Sequence, residues 1–195
     1  PPTHDIDANL ALSVLAFSLI GTPASPLRKA LLDSGLGEDL AGTGFANYMK
    51  QMYFGTGLRG IRSEDIPEAE AVIRSTLEGL AARGLDPELL DASMNTLEFK
   101  MRESNTGGYP RGLAYMWSAL NFGLYGADPR DPLRFESPLA RLKARLASGD
   151  PVFQDLVRRY FLENPHHSVV ELRPEPGLSQ KEQDAEAARL QAVRE

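Results

Sequence analysis

Between residues 40 and 61 the chain reads LAGTGFANYMKQMYFGTGLRGI, and this stretch narrows most sharply what can form around it. Glycines and aromatics alternate there with a period of two. That pattern fits two extended strands joined near 47–51, with Phe54, Thr56, Leu58 and Gly60 marking one side of the second. Most of the chain on either side has a helical period instead, so a regular alternation of strand and helix does not fit. The expected class is α+β: a mostly antiparallel sheet covered on one face by helices.

The helical stretches carry their own punctuation. Asp7 begins a pattern in which Leu10, Val14, Phe17, Leu19 and Ile20 form an apolar face, ended by Gly21-Thr22-Pro23. Ser25-Pro26 reads as a cap followed by a first-turn proline, opening a second helix through Leu27, Ala30 and Leu31 to Gly35. Ser63-Glu64-Asp65-Ile66 starts a long helix with Val72, Ile73, Leu77 and Leu80, stopped at Gly84. Asp86-Pro87-Glu88 opens the next, with Leu89, Leu90, Met94, Leu97 and Met101. Pro110 opens another carrying Leu113, Met116, Trp117, Leu120 and Phe122. Shorter helices are expected at 138–147 and 151–162, and the alternation SVVELR predicts a strand at 168–173. Past Pro174 and Pro176 the chain is charged, alanine-rich and poor in large apolar groups. The reading is therefore an α+β domain over 1–174, then a solvent-facing helix or frayed tail over 175–195.

Charge and composition exclude several classes of partner. The formal charge of -6 comes from mixed signs without a basic cluster, so no nucleic-acid partner is expected. The longest apolar run, 10–20, is broken by Ser13 and Ser18 and falls short of the roughly 20 residues of a membrane span. A soluble protein without a membrane partner is expected; the basic start and cleavage site of a secretory leader are missing, which says little about export, and the compartment stays open with the cytoplasm favoured. A chain opening on Pro1-Pro2 without Met reads as a piece of something longer. The absence of cysteine removes disulfides, thiolate metal sites and a cysteine nucleophile.

Motifs with chemistry are sparse. His4, His166 and His167 have no glutamate at HExxH or HxxEH spacing, so no zinc site is expected from this chain alone. GTGLRG at 55–60 lacks the GxGxxG spacing, the Lys-Ser/Thr ending and the following helix of a phosphate loop; glycines permitting a bulge explain it. GxSxG is missing, and Glu64, Glu68, Glu70 and Glu78 have the spacing of a solvated helix face. The segment MRESNTGGYPRGLAYM, 101–116, is richer. Arg102 and Arg111 have the fork for carboxylates, Asn105 and Thr106 suit exposed backbone, and Gly107-Gly108 suits a close helix approach. Those features serve a scaffold as readily as a substrate-binding loop.

Four blocks in one collinear order carry a resemblance: LIGTPASPLRKALLDSGLG (19–37), FGTGLRGIRSEDI (54–66), EFKMRESNTGGYPRGLAYM (98–116) and FLENPHHSVVELRPEPGLSQKEQ (161–183). Together they resemble the presequence protease branch of the pitrilysin and insulinase zinc metallopeptidases. The match is to the second domain of the amino-terminal half, not to the domain bearing the inverted zinc motif. The resemblance implies two bowl-like halves, each of two related α+β domains, closed around an unfolded peptide. It implies a sheet strand ahead of the first helix, lying outside this segment, and a helical hairpin joining the halves from Gly177 onward. Zinc, its bound water and a glutamate base would belong to the full-length parent, with no cofactor in this segment. It also implies that the peptide's amino-terminal portion lies along an edge strand here, with contacts at Ser25 and at Leu40, Ala41, Gly42, Thr43 and Gly44. Thr22-Pro23-Ala24-Ser25-Pro26 departs from the better-described insulinase pattern at the turn. Arg102, Asn105 and Arg111 become interhelix and interdomain scaffold, and the partners are the remaining domains and an unfolded peptide. The residues leave open a stand-alone peptide-binding or assembly module, and a small-molecule enzyme with a pocket around Arg102, Tyr109 and Arg111.

Overall fold

A computed structural model describes residues 1–103 and 107–194. Its first helix, α1 (Ile6–Ile20), is capped by Asp5, whose Oδ1 accepts the Ala8 N–H at 3.0 Å. The periodicity points to one apolar face, but no residue of α1 beyond Asp7 is exposed. Ser18, the polar intruder, is fully buried and donates its hydroxyl to the Val14 carbonyl at 3.0 Å, which is how a serine survives in such surroundings.

The coat around α1 follows in chain order. Helix α2 (Pro26–Asp33) buries Leu27 and Leu31 completely. A hairpin of β1 (Asp39–Ala46) and β2 (Tyr53–Arg59) comes next, then a 310 turn (Ser63–Asp65) and α3 (Ile66–Arg83). Arg62 fastens that turn, its Nε donating to Asp65 Oδ2 at 2.7 Å. Helix α4 (Pro87–Glu103) opens on Asp86, whose Oδ1 accepts the Glu88 N–H at 2.9 Å. Then come α5 (Arg111–Gly123), a 310 turn (Asp131–Leu133), α6 (Glu136–Ala147) and α7 (Val152–Val157), which runs into a π-helical turn (Arg158–Leu162). Elements α2, α4, α6, α7 and β1 all touch α1. Leu15, Leu19, Leu27, Leu31 and Val157 are shut away at the centre of this layer.

The sheet pairs Leu40 with Leu58 and Phe45 with Phe54 in antiparallel register, with a break between Ala41 and Gly44. Pro2 bridges Gln51, and the Thr3 N–H donates to the Lys50 carbonyl at 3.1 Å, so the chain start runs antiparallel to the end of the hairpin loop. The helix-rich chain with its small antiparallel sheet is α+β, as the sequence indicates. Helix α5 departs from its pattern: Phe122 is buried, whereas Met116, Trp117 and Leu120 are exposed.

Compactness separates Pro1–Pro165 from His166–Glu195. Within the second unit, the strand expected at 168–173 is absent. The backbone there joins no ladder among the described residues, and Leu172 is 91% exposed. Alternation supplies two faces, but a strand also needs a neighbour for its N–H and C=O groups. Helix α8 (Leu178–Arg194) follows, with its described side chains in solvent.

Candidate functional site

Strand β1 owes its shape to glycine. Gly42 has φ +110°, and a Cβ there would lie 2.7 Å from the Gly55 carbonyl oxygen, so the two backbones approach where a side chain has no room. Gly42 and Thr43 together stand opposite Thr56, a β-bulge that bends the strand. Ala41, Gly42 and Thr43 are exposed, Gly44 is half-buried, and Leu40 is half-buried and packed on the core. One edge of β1 pairs with β2; the other has no strand partner among the described residues. The Thr56 hydroxyl opposite the bulge is buried and has no hydrogen-bond partner among the described residues.

The sixth predicted contact behaves differently. Ser25 is fully buried. Its Oγ accepts the Thr22 N–H at 3.0 Å, lies 3.1 Å from Thr22 Oγ1, and donates to the Phe17 carbonyl at 3.4 Å. It makes no side-chain cap bond to α2. Ser25 stands at the N-cap position ahead of Pro26 as expected, but its hydroxyl does not cap the helix: it closes the α1–α2 turn from inside.

The scaffold residues divide too. Arg102 donates from Nε and Nη2 to Glu98 Oε1 at 3.0 and 2.8 Å, and Lys143 of α6 reaches Glu98 Oε2 at 2.6 Å. Lys143 first and Arg102 second hold the Glu98 carboxyl below its ordinary range. The Arg102 guanidinium also lies over the Phe135 ring, 5.6 Å from its centroid. This cluster clamps α4 to α6. Arg111 begins α5, exposed, and takes part in no ion pair among the described residues. Asn105 lies outside the described residues.

A cleft of about 230 Å3, not anticipated from the sequence, opens beside α1 and α5, lined by Ile6, Asn9, Leu10, Asn121, Phe122 and Phe135 among others. The Asn9 Oδ1 accepts from Asn47 Nδ2 at 2.8 Å, and Asn9 Nδ2 donates to the Thr3 carbonyl at 3.0 Å. The signal in the sequence was an amide in a helix whose other polar residues past Asp7 are two serines. Arg102, Tyr109 and Arg111 do not line it. Among the described residues no three His, Cys, Asp or Glu side chains gather closely enough to hold a metal ion, so the residues present do not fit a zinc site. No described helix is long and apolar enough to cross a membrane.

Residues 1–97 match the family described as Peptidase M16 inactive domain. The chain is 41% identical to Presequence protease 1, chloroplastic/mitochondrial, of Arabidopsis thaliana, over 97% of this chain and 18% of that protein. It is 36% identical to Protein HypA of Clostridium perfringens, over 97% of this chain and 19% of that protein. It is 32% identical to the mitochondrial presequence protease of Xenopus laevis, over 92% of this chain and 17% of that protein. The chain thus spans less than a fifth of the length of these relatives.

Proposed function

Homology to presequence proteases along nearly its whole length, with an inactive domain over residues 1–97, puts this chain in the peptidase M16 family, and from that premise we propose that it holds an unfolded peptide for a longer zinc peptidase without cutting it. The edge of β1 carries the proposal. An extended peptide would add a strand there, pairing by backbone along Leu40, Ala41, Gly42, Thr43 and Gly44, where the small side chains from Ala41 to Gly44 let it approach. Backbone pairing is indifferent to most side chains, which suits short unstructured substrates of varied sequence. Ser25 contributes from behind, holding the turn that carries α2 toward the strand.

In this proposal the zinc, the water it activates and the glutamate that takes the proton belong to other domains of the same polypeptide. This chain's own residues bind and orient. Arg102 with Glu98 and Lys143 keeps two helices of the wall together, Arg111 and Asn105 serve the wall at the α4–α5 connection, and 175–195 begins the linker to the second half. A soluble compartment, the cytoplasm included, completes the proposal.

The test uses the full-length polypeptide. Thr43→Arg places a bulky charge on an exposed position of β1. Peptide affinity is expected to fall roughly tenfold or more, as for a contact at the centre of an interface, with thermal stability unchanged. Unchanged affinity in Thr43→Arg and in Ala41→Lys alike would sink the assignment.

A further inference from the structure

Helix α5 is built inside out. Leu113, Met116, Trp117 and Leu120, continued by Leu124 at the C-cap, recur at the three- and four-residue spacing that forms one stripe along a helix. Phe122 is buried on the opposite side, while Met116, Trp117, Leu120 and Leu124 are each about half exposed or more (52%, 48%, 49% and 66%). Tyr109 extends the stripe, its ring edge-on to Trp117 at 5.6 Å between centroids. With about half or more of each side chain open, the apolar surface is on the order of 400–500 Å2, the range of the largest patch on a typical soluble protein, a patch that is often functional.

Charge separates the candidate occupants. From 112 to 127 there is no Asp, Glu, Lys or Arg, so neither side of α5 carries the groups that keep a surface helix in water. A transient partner leaves a polar rim around its footprint, whereas a permanent contact resembles a domain core cut in two. The relatives are more than five times as long as this chain while matching 92–97% of it, so in those proteins much further polypeptide accompanies this segment. We propose that the stripe from Leu113 to Leu124, with Tyr109, is a permanent docking face for an apolar, uncharged surface of a further domain of the same polypeptide. The proposal rests on the reading above in placing the chain within a longer enzyme, and adds the surface by which it is held there.

Hydroxyl-radical footprinting of the full-length polypeptide, read by mass spectrometry at Met116 and Trp117, decides it. Both side chains are expected to oxidise roughly tenfold more slowly than in the same protein unfolded in urea, as in the dry centre of an interface. Rates near the unfolded value overturn the proposal. So does protection that fades on dilution, since that identifies a second copy as the occupant. Leu120→Lys in the same polypeptide is expected to raise Met116 oxidation several-fold while Met94, 5% exposed in the core, stays protected. No rise at Met116 also overturns it. Protected Met116 with no peptide binding at β1 would defeat only the peptide-holding reading, and exposed Met116 with intact peptide binding only this one.

Discussion

Gly42 and Gly57 face each other's strands at nearly the same level, yet they make opposite demands. Gly42 combines φ +110° with a backbone oxygen 2.7 Å from where its Cβ would sit; Gly57 has neither a positive φ nor any atom within 4 Å of that point. Gly42→Ala should therefore destabilise by ~1–3 kcal/mol in urea unfolding, the scale of a strained left-handed residue plus a clash, whereas Gly57→Ala should move stability by less than about 0.5 kcal/mol. The glycine-rich spelling at 55–60 did signal a bulge in this hairpin, but the bulge glycine, Gly42, lies in the partner strand, and within 55–60 only Gly60, just past the end of β2, has a positive φ. Composition shows that glycine is needed somewhere; only the register shows where. Glu98 offers a pH test. Its folded carboxyl is held below the ordinary range by Lys143 and Arg102, so its contribution is complete above its unfolded value and is lost as pH falls through the lowered folded value. Urea midpoints should drop across that acid window in the parent chain, and Glu98→Gln should flatten that part of the curve. Ser25 taught a different lesson: a serine before proline spells a helix cap, and nothing local reveals that its hydroxyl will turn inward to Thr22 and Phe17.

At the scale of elements, helices were legible where their caps were. Asp86 and Gly84 bracket real boundaries, and the hairpin ran close to where its alternation put it. The errors have a common cause. SVVELR at 168–173 has the pattern of a strand and no partner, and α5 has the stripe of a buried helix facing outward. Periodicity reports which side of an element wants covering, not whether the covering is at hand. Leu15→Ala, in a side chain with no exposure, should cost about 2–5 kcal/mol, while Leu172→Ala should be silent within about 0.5 kcal/mol. Chemical denaturation of the two variants distinguishes an element that is anchored from one that only looks anchored.

For the whole molecule, order was more informative than any single motif. One helix pair, one hairpin and a run of helices sufficed to name an α+β layer, because no regular strand-helix alternation was present to build anything else. The candidate site was legible only through resemblance: nothing in LAGTG distinguishes a receptive edge from one that merely ends a sheet. Metal chemistry is a molecule-wide question too, since His4 belongs to the first compact unit and His166 and His167 to the second. Added zinc should leave the melting temperature of this chain unchanged and chelator should do the same; a stabilisation that saturates at one equivalent would contradict that expectation.

The central position of α1 has a consequence for how the chain comes into being. Within this segment α1 leaves the ribosome before every helix packed on it, and α7, the latest of those in chain order, ends at Val157. At translation speeds of about 5–20 residues per second, the interval is on the order of ten seconds. For that time the nascent chain displays what will become its innermost surface, and a holding chaperone has its clearest target there.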